Sequence, residues 1–478
     1  MTWGRNEVAT WQRQQRARQQ EAVFRRTDSP RGQVRVPGKE SRRGTVAVIG
    51  LGYVGLPLSL EFARAGWQVI GLDIDPDKTQ QLQAGGCYLS SVKAPDLKDL
   101  VDSGYFQPTT AFHCLRDAQA VILCVPTPLT ETREPDLRYV VETARTVSRY
   151  LQPGQLVVLE STSYPGTTEE VVLPILQQSG LRCETNGAGE SLEAGFYLAF
   201  SPERVDPGNI RYRLGEIPRL VAGVNPASAE RARQLYQSVF EKVVVVSSPR
   251  VAEMAKLLEN VYRAVNIALV NELKLICQPM GIDIWEVIEA AATKPYGFAP
   301  FYPGPGLGGH CIPVDPFYLA WKARAYDLTT RFIELAGEIN SSMPCRVVER
   351  LVEALNNRDV RVRGSRILIL GVAYKKDVDD IRESPALKIM QLLFERGACV
   401  AYNDPHVPRL HKTRRYDFSH LASVPLTPEN LEGFDCVVVV TDHTAYNFHE
   451  IGSAARLILD TRNATRGIET CRAKVVHA

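Results

Sequence analysis

The residues best suited to chemistry lie in the segment PGPGLGGHCIPVDP, at positions 303–316. Five of the six residues at 304–309 are glycine or proline, Cys311 follows them, and Asp315 comes four residues later. A cysteine that only fills a core normally lies within an apolar strand or helix, whereas a glycine-rich backbone can approach a ligand closely. The pattern therefore predicts a thiol that is presented to a bound molecule, with a satisfied core thiol as the alternative.

A second group of polar side chains lies within residues 249–277, a stretch with no glycine and no internal proline. At 1.5 Å per residue this stretch predicts a helix of roughly 40 Å. Lys256 and Asn260 are four residues apart and share one helix face, with Glu253 beside them. From spacing alone, a solvated Lys–Asn pair without a functional role is an alternative interpretation. The second half is apolar nearly all round, which predicts burial between domains or against a partner subunit.

A dinucleotide-binding pattern lies near the start of the folded part of the chain. An apolar strand is predicted at 45–49, a helix at 56–65 and a second strand at 68–72, which ends at Asp73. Three glycines in G-x-G-x-x-G spacing stand between the first strand and the helix. In this βαβ pattern the helix N-terminus faces the pyrophosphate, and the acidic residue binds the adenosine ribose. A glycine turn that binds no dinucleotide is the alternative.

The charge of Asp73 indicates which dinucleotide is bound. A carboxylate at this position would repel a 2′-phosphate, so the pattern favours NAD over NADP. Lys78 weakens the preference, because its ammonium could reach a phosphate. The cofactor contacts predicted in this segment are Gly50, Gly52, Tyr53, Val54, Gly55, Asp73 and Lys78.

Two threonines follow further strands of the same domain. Strands are predicted at 120–125 and 156–160, and the loops PTPLT and STSYPGT come after them. Open α/β sheets bind ligands at the carboxyl ends of their strands. Thr127 and Thr162 are therefore candidate contacts of the cofactor or substrate, although each could instead cap a helix.

The last third of the chain predicts a second α/β domain. The segment RILILGVAYKKDVDDIRESPALKIMQLLFERGACVAYNDP repeats the strand, loop, helix, strand order without the glycine triplet, and DCVVVVT and RLILD add two strands. Lys375, Lys376 and Arg382 are available for the phosphates of a second nucleotide, or for the first domain's cofactor across the cleft.

Composition and charge exclude several classes of protein. The chain has 478 residues, 45% of them hydrophobic, which is enough for two or three globular domains. Residues 1–44 carry ten Arg and one Lys against four acidic residues, so the remainder is slightly acidic despite a net charge of +2. A slightly acidic body argues against nucleic acid as the main partner. We expect the basic tail to be disordered or a frayed helix.

Targeting and cysteine patterns point to a cytoplasmic protein without metal. No apolar segment follows the Arg25–Arg26 pair, and no run of about 18 apolar residues predicts a membrane span. The ten cysteines never form a C-x-x-C pair, so neither a zinc site nor a disulfide framework is expected. Cys124 and Cys436 are predicted in buried strands.

These segments together resemble the nucleotide-sugar 6-dehydrogenases. The resemblance rests on the glycine-rich domain, the helix with Lys256 and Asn260, the segment GPGLGGHCIPVDP and the segment AYKKDVDDIRES, and it extends from Thr45 to about Ala464. The stretches FSPERVDPGN and FYPGPGLGGHCIPVDPFYLAWKA are most similar to the UDP-N-acetylglucosamine 6-dehydrogenase branch.

The resemblance implies an α/β fold with two Rossmann-like doubly wound domains joined by a long central helix. Outside the resemblance we expect a tail at 1–44; within it we expect an NAD-binding domain at 45–248, a central helical region at 249–344 and a UDP-binding domain at 345–478. We also expect a homodimer or larger assembly, since the long apolar helix offers more buried face than one subunit covers. A role in making cell-surface polysaccharide follows from the same resemblance.

The resemblance further implies four-electron oxidation of a sugar C6 alcohol to a carboxylate with two NAD. Cys311 would hold the aldehyde as a thiohemiacetal and then a thioester, which water hydrolyses. Lys256 and Asn260 would stabilise the thiolate and developing oxyanions. Asp315 would orient Lys256 or activate water, unless it caps the helix that starts near Pro316, and Thr162 would hold a water.

One loop departs from the UDP-glucose branch of the family. That branch carries a second glutamate four residues after the position of Glu203, where Pro207 stands here, and Arg204 has entered the loop. An acid/base role would therefore fall to Glu203 or Asp206. The substrate contacts implied by the resemblance are Glu203, Arg204, Lys256, Asn260, Tyr302, Gly306, Gly308, Lys375 and Arg462.

Several functions remain open from sequence. UDP-N-acetylglucosamine is the favoured substrate, with UDP-N-acetylmannosamine, another UDP-N-acetylhexosamine or UDP-glucose as alternatives. A catalytically silent nucleotide-sugar-binding protein is a remote alternative. A two-electron β-hydroxyacid dehydrogenase has a similar domain order and a helix Lys–Asn pair, but it does not need Cys311.

Overall fold

A computed structural model describes residues 43–89, 92–130, 132–183, 195–204, 212–309, 312–468 and 472–478. Most of the tail predicted at 1–44 lies outside the described residues. So do Cys311 with its neighbour His310, and the loop residues Asp206 and Pro207. The described residues form two mostly parallel β-sheets with helices packed against them, and long helices lie between the sheets in the chain.

The first sheet has nine strands in the order β3-β2-β1-β4-β5-β7-β8-β9, with β6 paired to β7. All pairs are parallel except β7 with β8, so β8 and β9 run opposite to the other strands. The strands are β1 (Thr45–Ile49), β2 (Gln68–Leu72), β3 (Phe106–Thr109), β4 (Ala120–Leu123), β5 (Leu156–Leu159), β6 (Arg182–Cys183), β7 (Gly195–Phe200), β8 (Arg219–Gly223) and β9 (Val243–Val245).

Helices cover both faces of this sheet and bury its central strands completely. Strands β4 and β5 read AVIL and LVVL and are buried at every position, as continuous apolar runs of a parallel sheet predict. The helices are α1 (Gly55–Arg64), α2 (Pro76–Gln83), α3 (Ala94–Asp102), α4 (Arg138–Tyr150), α5 (Leu173–Leu176) and α6 (Pro226–Gln237). Short 3-10 helices lie at Phe112–Asp117, Gln177–Ser179 and Leu214–Glu216, and a π-helical turn lies at Thr167–Val172.

The predicted elements of the dinucleotide motif agree closely with the structure, whereas two neighbouring strands are shorter than predicted. The strand predicted at 156–160 ends at Leu159. Strands β1 and β2 have the predicted bounds, and α1 begins one residue early, at Gly55. The strand predicted at 120–125 ends at Leu123, because the chain turns into the cleft there. The expectation that Cys124 is a strand residue is therefore wrong: it follows β4 and lines the cavity described below.

The central region consists of four helices, and its first helix has the predicted bounds. Helix α7 (Pro249–Cys277) begins after Ser248, whose hydroxyl accepts a hydrogen bond from the Val251 N–H. A proline as the first helical residue suits this position, because that N–H has no partner in a helix. The other helices are α8 (Ile284–Ala291), α9 (Asp315–Arg324) and α10 (Arg331–Asn356).

Helix α10 packs along α7 through a buried amide network. The Asn271 side chain donates to Asn340 Oδ1 at 3.0 Å, and Asn340 donates to the Ala264 carbonyl at 2.8 Å. Asn271 Oδ1 in turn accepts the Gly304 N–H at 2.9 Å, which ties the glycine-rich segment to α7. The domain boundary predicted at residue 345 falls inside α10.

The second sheet has five parallel strands in the order β11-β10-β12-β13-β14. The strands are β10 (Arg366–Leu370), β11 (Cys399–Asn403), β12 (Cys436–Val439), β13 (Leu457–Asp460) and β14 (Lys474–His477). Helices α11 (Pro385–Glu395), α12 (Pro428–Glu432) and α13 (Phe448–Ala454) accompany them. Cys436 is fully buried in β12, as predicted.

One face of α7 is apolar and exposed. Leu258, Tyr262, Leu269 and Ile276 are each more than half exposed, at 62%, 51%, 51% and 51%. The second half of α7 is therefore buried on one side only by the described part of this chain. Within that part, no helix is both long enough and apolar enough to cross a membrane.

Candidate active site

A cavity of about 410 Å³ lies where the two sheets and the central helices meet. Its walls come from the carboxyl ends of the first sheet's strands, from α7, from the glycine-rich segment and from the loop after β10. The sequence-predicted site residues that line it are Gly52, Tyr53, Val54, Thr127, Thr162, Glu203, Arg204, Lys256, Asn260, Tyr302, Gly306, Gly308, Lys375, Arg382 and Arg462. One cleft thus collects residues that are separated by up to 410 positions in sequence.

The glycine loop has the shape that a pyrophosphate needs. Gly50 has φ +94°, and a Cβ there would lie 2.5 Å from the Cys124 carbonyl oxygen. A Cβ on Gly55 would lie 1.9 Å from the Gly50 carbonyl oxygen, so helix and strand can approach only with glycine. A Cβ on Gly52 would meet nothing within 4 Å, and Gly52 lines the cavity. The loop therefore leaves open space for a group to approach the α1 N-terminus.

Asp73 and Lys78 lie beside this loop rather than in the cavity wall. Asp73 is buried, and its carboxylate accepts the Leu51 N–H at 3.0 Å and the Asp75 N–H at 3.1 Å. Lys78 Nζ lies 4.0 Å from Asp73 Oδ2 and 3.9 Å from Asp75 Oδ2. The ammonium is thus paired with carboxylates, which does not favour a 2′-phosphate site.

Arg382 connects the second sheet's domain to the glycine loop. Its guanidinium lies 4.3 Å from the centre of the Tyr53 ring, and Asp380 holds it through hydrogen bonds of 2.7–3.0 Å. Burial, followed by the charge of Asp380, raises the pKa of Tyr53 to about 12, so its hydroxyl stays protonated. The Arg382 carbonyl accepts the Gly309 N–H at 2.9 Å. This loop therefore contacts both the cofactor motif and the segment that precedes Cys311.

Lys256, Asn260 and Asp315 form a buried polar group beside the cavity. Asn260 donates to Asp315 Oδ2 at 2.5 Å, and all three residues are at most 7% exposed. Burial raises the pKa of Asp315 to about 6, against the opposing effects of the Lys256 charge and the Asn260 hydrogen bond. Asp315 does not cap a helix, because α9 begins at Asp315 itself and its carboxylate faces Asn260.

The described residues on either side of Cys311 lie at the cavity. Cys311 lies outside the described residues, but Gly309 and Ile312 on either side of the gap both line the cavity. Gly306 has φ +130°, and a Cβ on Gly308 would lie 2.5 Å from the Tyr374 Cβ. The glycines here are therefore required by backbone shape and by packing against the second domain.

The two threonine loops lie where the sequence predicts, and neither threonine caps a helix. Thr162 precedes a π-helical turn whose first flanking residue is Gly166, and the next helix after Thr127 begins at Arg138. The Thr162 loop is fixed by Glu253, which is fully buried on α7. Its carboxylate accepts the Gly166 N–H at 2.6 Å, the Thr168 N–H at 2.9 Å and the Thr168 hydroxyl at 2.7 Å.

The loop after β7 places Glu203 at the cavity with both carboxylate oxygens engaged. Glu203 Oε1 accepts the Arg204 N–H at 2.7 Å, and Oε2 accepts from Arg219 Nη1 at 2.8 Å. Arg219 also forms an ion pair with Glu160, and Arg219 and Glu160 are 2% and 1% exposed. Sequence reasoning missed both residues, although a charged residue directly after VVL or before LVAG is a visible irregularity in an apolar strand.

Arg204 is held against the cavity wall by protein groups. Its Nη2 lies 2.7 Å from Glu259 Oε1, and its Nη1 donates to the Pro218 carbonyl at 2.8 Å. Arg204 and Glu259 both line the cavity, so its wall carries an ion pair at this point.

The second domain contributes Lys375 and Arg462. Arg462 Nε donates to the Val440 carbonyl at 2.9 Å, and its N–H donates to Asp460 Oδ1 at 2.9 Å. A Cβ on Gly304 would lie 2.5 Å from Arg462 Nη1, so the glycine gives this guanidinium its space. Tyr302 stacks on Trp285 with ring centres 5.7 Å apart and is half exposed at the cavity rim. Lys376, by contrast, pairs with Asp442 at 3.3 Å and does not line the cavity.

One grouping with metal-ligand chemistry occurs among the described residues, away from this cavity. Ligand atoms of Asp377, His406 and His443 lie within 4.8 Å of one another. However, His443 Nδ1 accepts the Asp377 N–H at 3.0 Å, and Nε2 lies 3.0 Å from Asp404 Oδ2. Both ring nitrogens of His443 are therefore engaged by protein groups. The expectation of no metal stays a prediction.

A glycine loop that fits a dinucleotide, a second nucleotide-type domain and a Lys–Asn–Asp group between them define a dehydrogenase that acts on a nucleotide-linked substrate. Residues 44–240 match the NAD binding domain of the UDP-glucose/GDP-mannose dehydrogenase family. Residues 250–342 match the family's central domain, and residues 368–467 match its UDP binding domain. The chain belongs to this family and is an NAD-dependent UDP-sugar dehydrogenase.

Individual relatives agree with the family but differ in their named substrates. UDP-N-acetyl-D-mannosamine dehydrogenase of Methanococcus maripaludis is 34% identical over 84% of this chain and 86% of its own length. UDP-N-acetyl-D-glucosamine 6-dehydrogenase of Pseudomonas aeruginosa is 34% identical over 87% of this chain and 96% of its own. The solved UDP-D-ManNAc dehydrogenase of Pyrococcus horikoshii superposes with a TM-score of 0.79 at 33% identity, covering 91% of this chain and 98% of that one.

These matches confirm the family, the fold class and the NAD cofactor that the sequence predicts. They do not favour the alternatives of a silent binding protein or a hydroxyacid dehydrogenase.

Proposed function

We propose that the enzyme oxidises the C6 alcohol of a UDP-N-acetylhexosamine to the uronate, with UDP-N-acetylglucosamine as the favoured sugar nucleotide. The observation that carries the proposal is the buried Lys256–Asn260–Asp315 group, which borders the cavity next to the segment that contains Cys311. The Lys–Asn pair can stabilise negative charge on an oxygen at C6, and Cys311 would supply the covalent step that a two-electron β-hydroxyacid dehydrogenase does not need.

The overall reaction consumes one water and two NAD per sugar. The alcohol loses four electrons in two steps, and the products are the carboxylate, two NADH and three protons. When bound, NAD supplies the electron acceptor for each step. The Cys311 thiolate adds to the C6 aldehyde and gives a thiohemiacetal, whose oxidation yields a thioester. Water then attacks the thioester, the C–S bond breaks, and the carboxylate leaves with the thiolate restored.

The described side chains would supply the electrostatics of these steps. The Lys256 ammonium and the Asn260 amide can stabilise negative charge on oxygen at C6. Asp315 would orient Asn260 and balance the charge of Lys256, since it accepts the Asn260 hydrogen bond. Thr162 and Glu203 line the same cavity and would hold the hydrolytic water. Gly52, Tyr53, Thr127 and Arg382 would hold NAD, while Lys375 and Arg462 would hold the UDP group.

The choice of an N-acetylated sugar rests on the loop after β7 and on the relatives. The Arg204–Glu259 ion pair presents both a donor and an acceptor at the cavity wall, which suits an acetamido group. Relatives of similar identity are named for N-acetylmannosamine and for N-acetylglucosamine. UDP-N-acetylmannosamine is therefore the second candidate substrate.

The test is a panel of UDP-sugars with purified enzyme and NAD. The proposal expects two NADH per sugar consumed and the highest kcat/KM with UDP-N-acetylglucosamine. A ratio near one would exclude the four-electron reaction. Cys311→Ser should form no uronate and at most complete a first oxidation, so full turnover by this variant would refute the role of the thiol.

We further propose that the enzyme is a homodimer that works in the cytoplasm. The exposed apolar residues of α7 give a continuous face that a second copy of the chain would cover. The eight described cysteines are all free thiols, which agrees with a reducing compartment.

A further inference from the structure

A buried arginine and two buried glutamates meet at the cavity edge of the first sheet. We propose that Arg219 is a positioning residue that holds Glu203 as an ionised, fixed carboxylate facing the substrate; the inference rests on the proposed function. The Arg219 guanidinium makes three contacts in three directions. Nη1 donates to Glu203 Oε2 at 2.8 Å, Nε donates to Ser201 Oγ at 3.0 Å, and Nη2 pairs with Glu160.

The reversed strand β8 brings Arg219 to this place. Glu160 follows β5, and Glu203 follows β7, so both acids lie at the carboxyl edge of the parallel strands. Because β8 runs antiparallel to β7, its first residue lies at that same edge. The register pairs Phe200 with Ala222, which sets Arg219 beside the end of β7. Without the reversal, the first residue of β8 would lie at the opposite edge, away from the ligand.

The buried carboxylates of Glu160 and Glu203 need the positive charge of Arg219 beside them. Glu160 and Glu203 are 1% and 7% exposed, and two such carboxylates would repel each other in a dry environment. Burial raises the pKa of Glu160, and the charge of Arg219 opposes that effect. Removing a partner from a buried ion pair leaves an uncompensated charge, which is strongly unfavourable. Glu203 without Arg219 would therefore take up a proton or turn away.

The Glu203 carboxylate is fixed in place because each of its two oxygens accepts a hydrogen bond. Arg219 engages Oε2, and the Arg204 N–H engages Oε1 at 2.7 Å. Arg219 itself is clamped between aromatic rings, with its guanidinium carbon 5.2 Å from the Tyr236 ring centre and 5.0 Å from that of Phe240. Arg219 does not line the cavity, whereas Glu203 and Glu160 do. Its effect on the reaction must therefore pass through Glu203.

Arg219→Met is the first test, with kcat, KM and thermal unfolding measured for each variant. The proposal expects kcat for uronate formation to fall about 10²-fold, as for a displaced catalytic group, with KM changed less than threefold. Arg219→Lys keeps the charge and should recover at least a tenth of wild-type kcat. Arg231→Met is the matched control, because Arg231 also stacks on a ring, that of Tyr197, but is exposed outside the cavity. Its kcat should stay within twofold of wild type.

A double variant separates positioning from stability. Glu160→Gln with Arg219→Met leaves only one buried carboxylate, so it should unfold at a higher temperature than Arg219→Met alone. Its kcat should nevertheless remain low, because Glu203 still lacks its cation. A double variant with kcat within twofold of wild type would overturn the proposal, as would an Arg219→Met variant with unchanged kcat. If Arg219→Met does not fold, the kcat values of Arg219→Lys and of the double variant test the proposal.

The pH dependence of kcat distinguishes a positioning role from a purely structural one, because a purely structural role would leave it unchanged. Loss of the guanidinium favours the protonated form of Glu203, so the acid limb of kcat should move to higher pH in Arg219→Met, where Glu160 still repels the Glu203 carboxylate. An unmoved limb would count against the proposal. The charged or titratable groups that interact with Glu203 or Glu160 include Arg219, Cys124 and Tyr236, and Arg204, Lys256 and Glu259 are among those that line the same cavity. If wild type itself yields one NADH per sugar, the proposed function fails instead, which the panel detects independently.

Discussion

The Asn260 side-chain Nδ2 donates a hydrogen bond to Asp315 Oδ2 at 2.5 Å, and this bond joins the middle of α7 to the first turn of α9. The two residues are 55 positions apart, and both are buried. Because Asp315 is the first residue of α9, the bond fixes the start of this helix against α7. The geometry of the candidate active site thus depends on the packing of two helices.

Asp315 should make the free energy of unfolding depend on pH. Its pKa is raised from 3.8 to about 6, so the folded protein holds the proton more tightly than the unfolded chain. Stability linked to this group is therefore present below about pH 4 and is lost as the pH rises through 6. We expect the unfolding free energy of wild type, relative to Asp315→Asn, to fall by up to about 3 kcal/mol between pH 4 and 7. Urea titrations at each pH measure the difference, and a constant difference would contradict the shift.

Glu253→Gln should weaken both stability and catalysis. Glu253 accepts three hydrogen bonds from Gly166 and Thr168, and an amide offers only one oxygen for them. We expect the free energy of unfolding to fall by about 1–3 kcal/mol and kcat to fall with it, because the Thr162 loop loses its anchor. Denaturant unfolding and steady-state kinetics measure both. Glu272→Gln, on an exposed position of the same helix, should change neither; equal effects of the two variants would rule out the anchor.

Arg382→Ala should impair NAD binding selectively. The guanidinium stacks on Tyr53 of the glycine loop, so its loss removes a cation from the cofactor side of the cavity. We expect KM for NAD to rise about tenfold, equivalent to about 1.4 kcal/mol. Lys376→Ala is the control, since Lys376 lies in the same loop but outside the cavity wall. A rise in KM for the UDP-sugar alone would assign Arg382 to the substrate instead.

Charged residues on the exposed face of α7 should separate the proposed dimer. Leu258 and Leu269 are 62% and 51% exposed in the described chain, and a partner would bury them. We expect Leu258→Asp with Leu269→Asp to halve the mass measured by light scattering, because a buried unpaired charge is costly. Leu328→Asp, also exposed but outside α7, should leave the mass unchanged. A monomeric wild type would refute the proposal.

The sequence predicts the local backbone of the site well, because those signals are confined to neighbouring residues. The glycine spacing required by close helix–strand contact predicts β1, α1 and β2 almost to the residue. Helical spacing likewise predicts that Lys256 and Asn260 share a face. By contrast, the strand before Cys124 ends earlier than its apolar run suggests, since the turn into the cleft depends on the neighbouring strands.

The dinucleotide motif, the central helix and the chemical types of the site residues can be predicted from the sequence alone. The contacts of Arg219 with Glu203 and of Asp315 with Asn260 are visible only in the folded structure. The first pairing depends on the direction of β8, and the second on how α9 packs against α7. Neither leaves a periodic signal in the chain, because strand order and helix packing are set by the burial of whole faces rather than by adjacent residues.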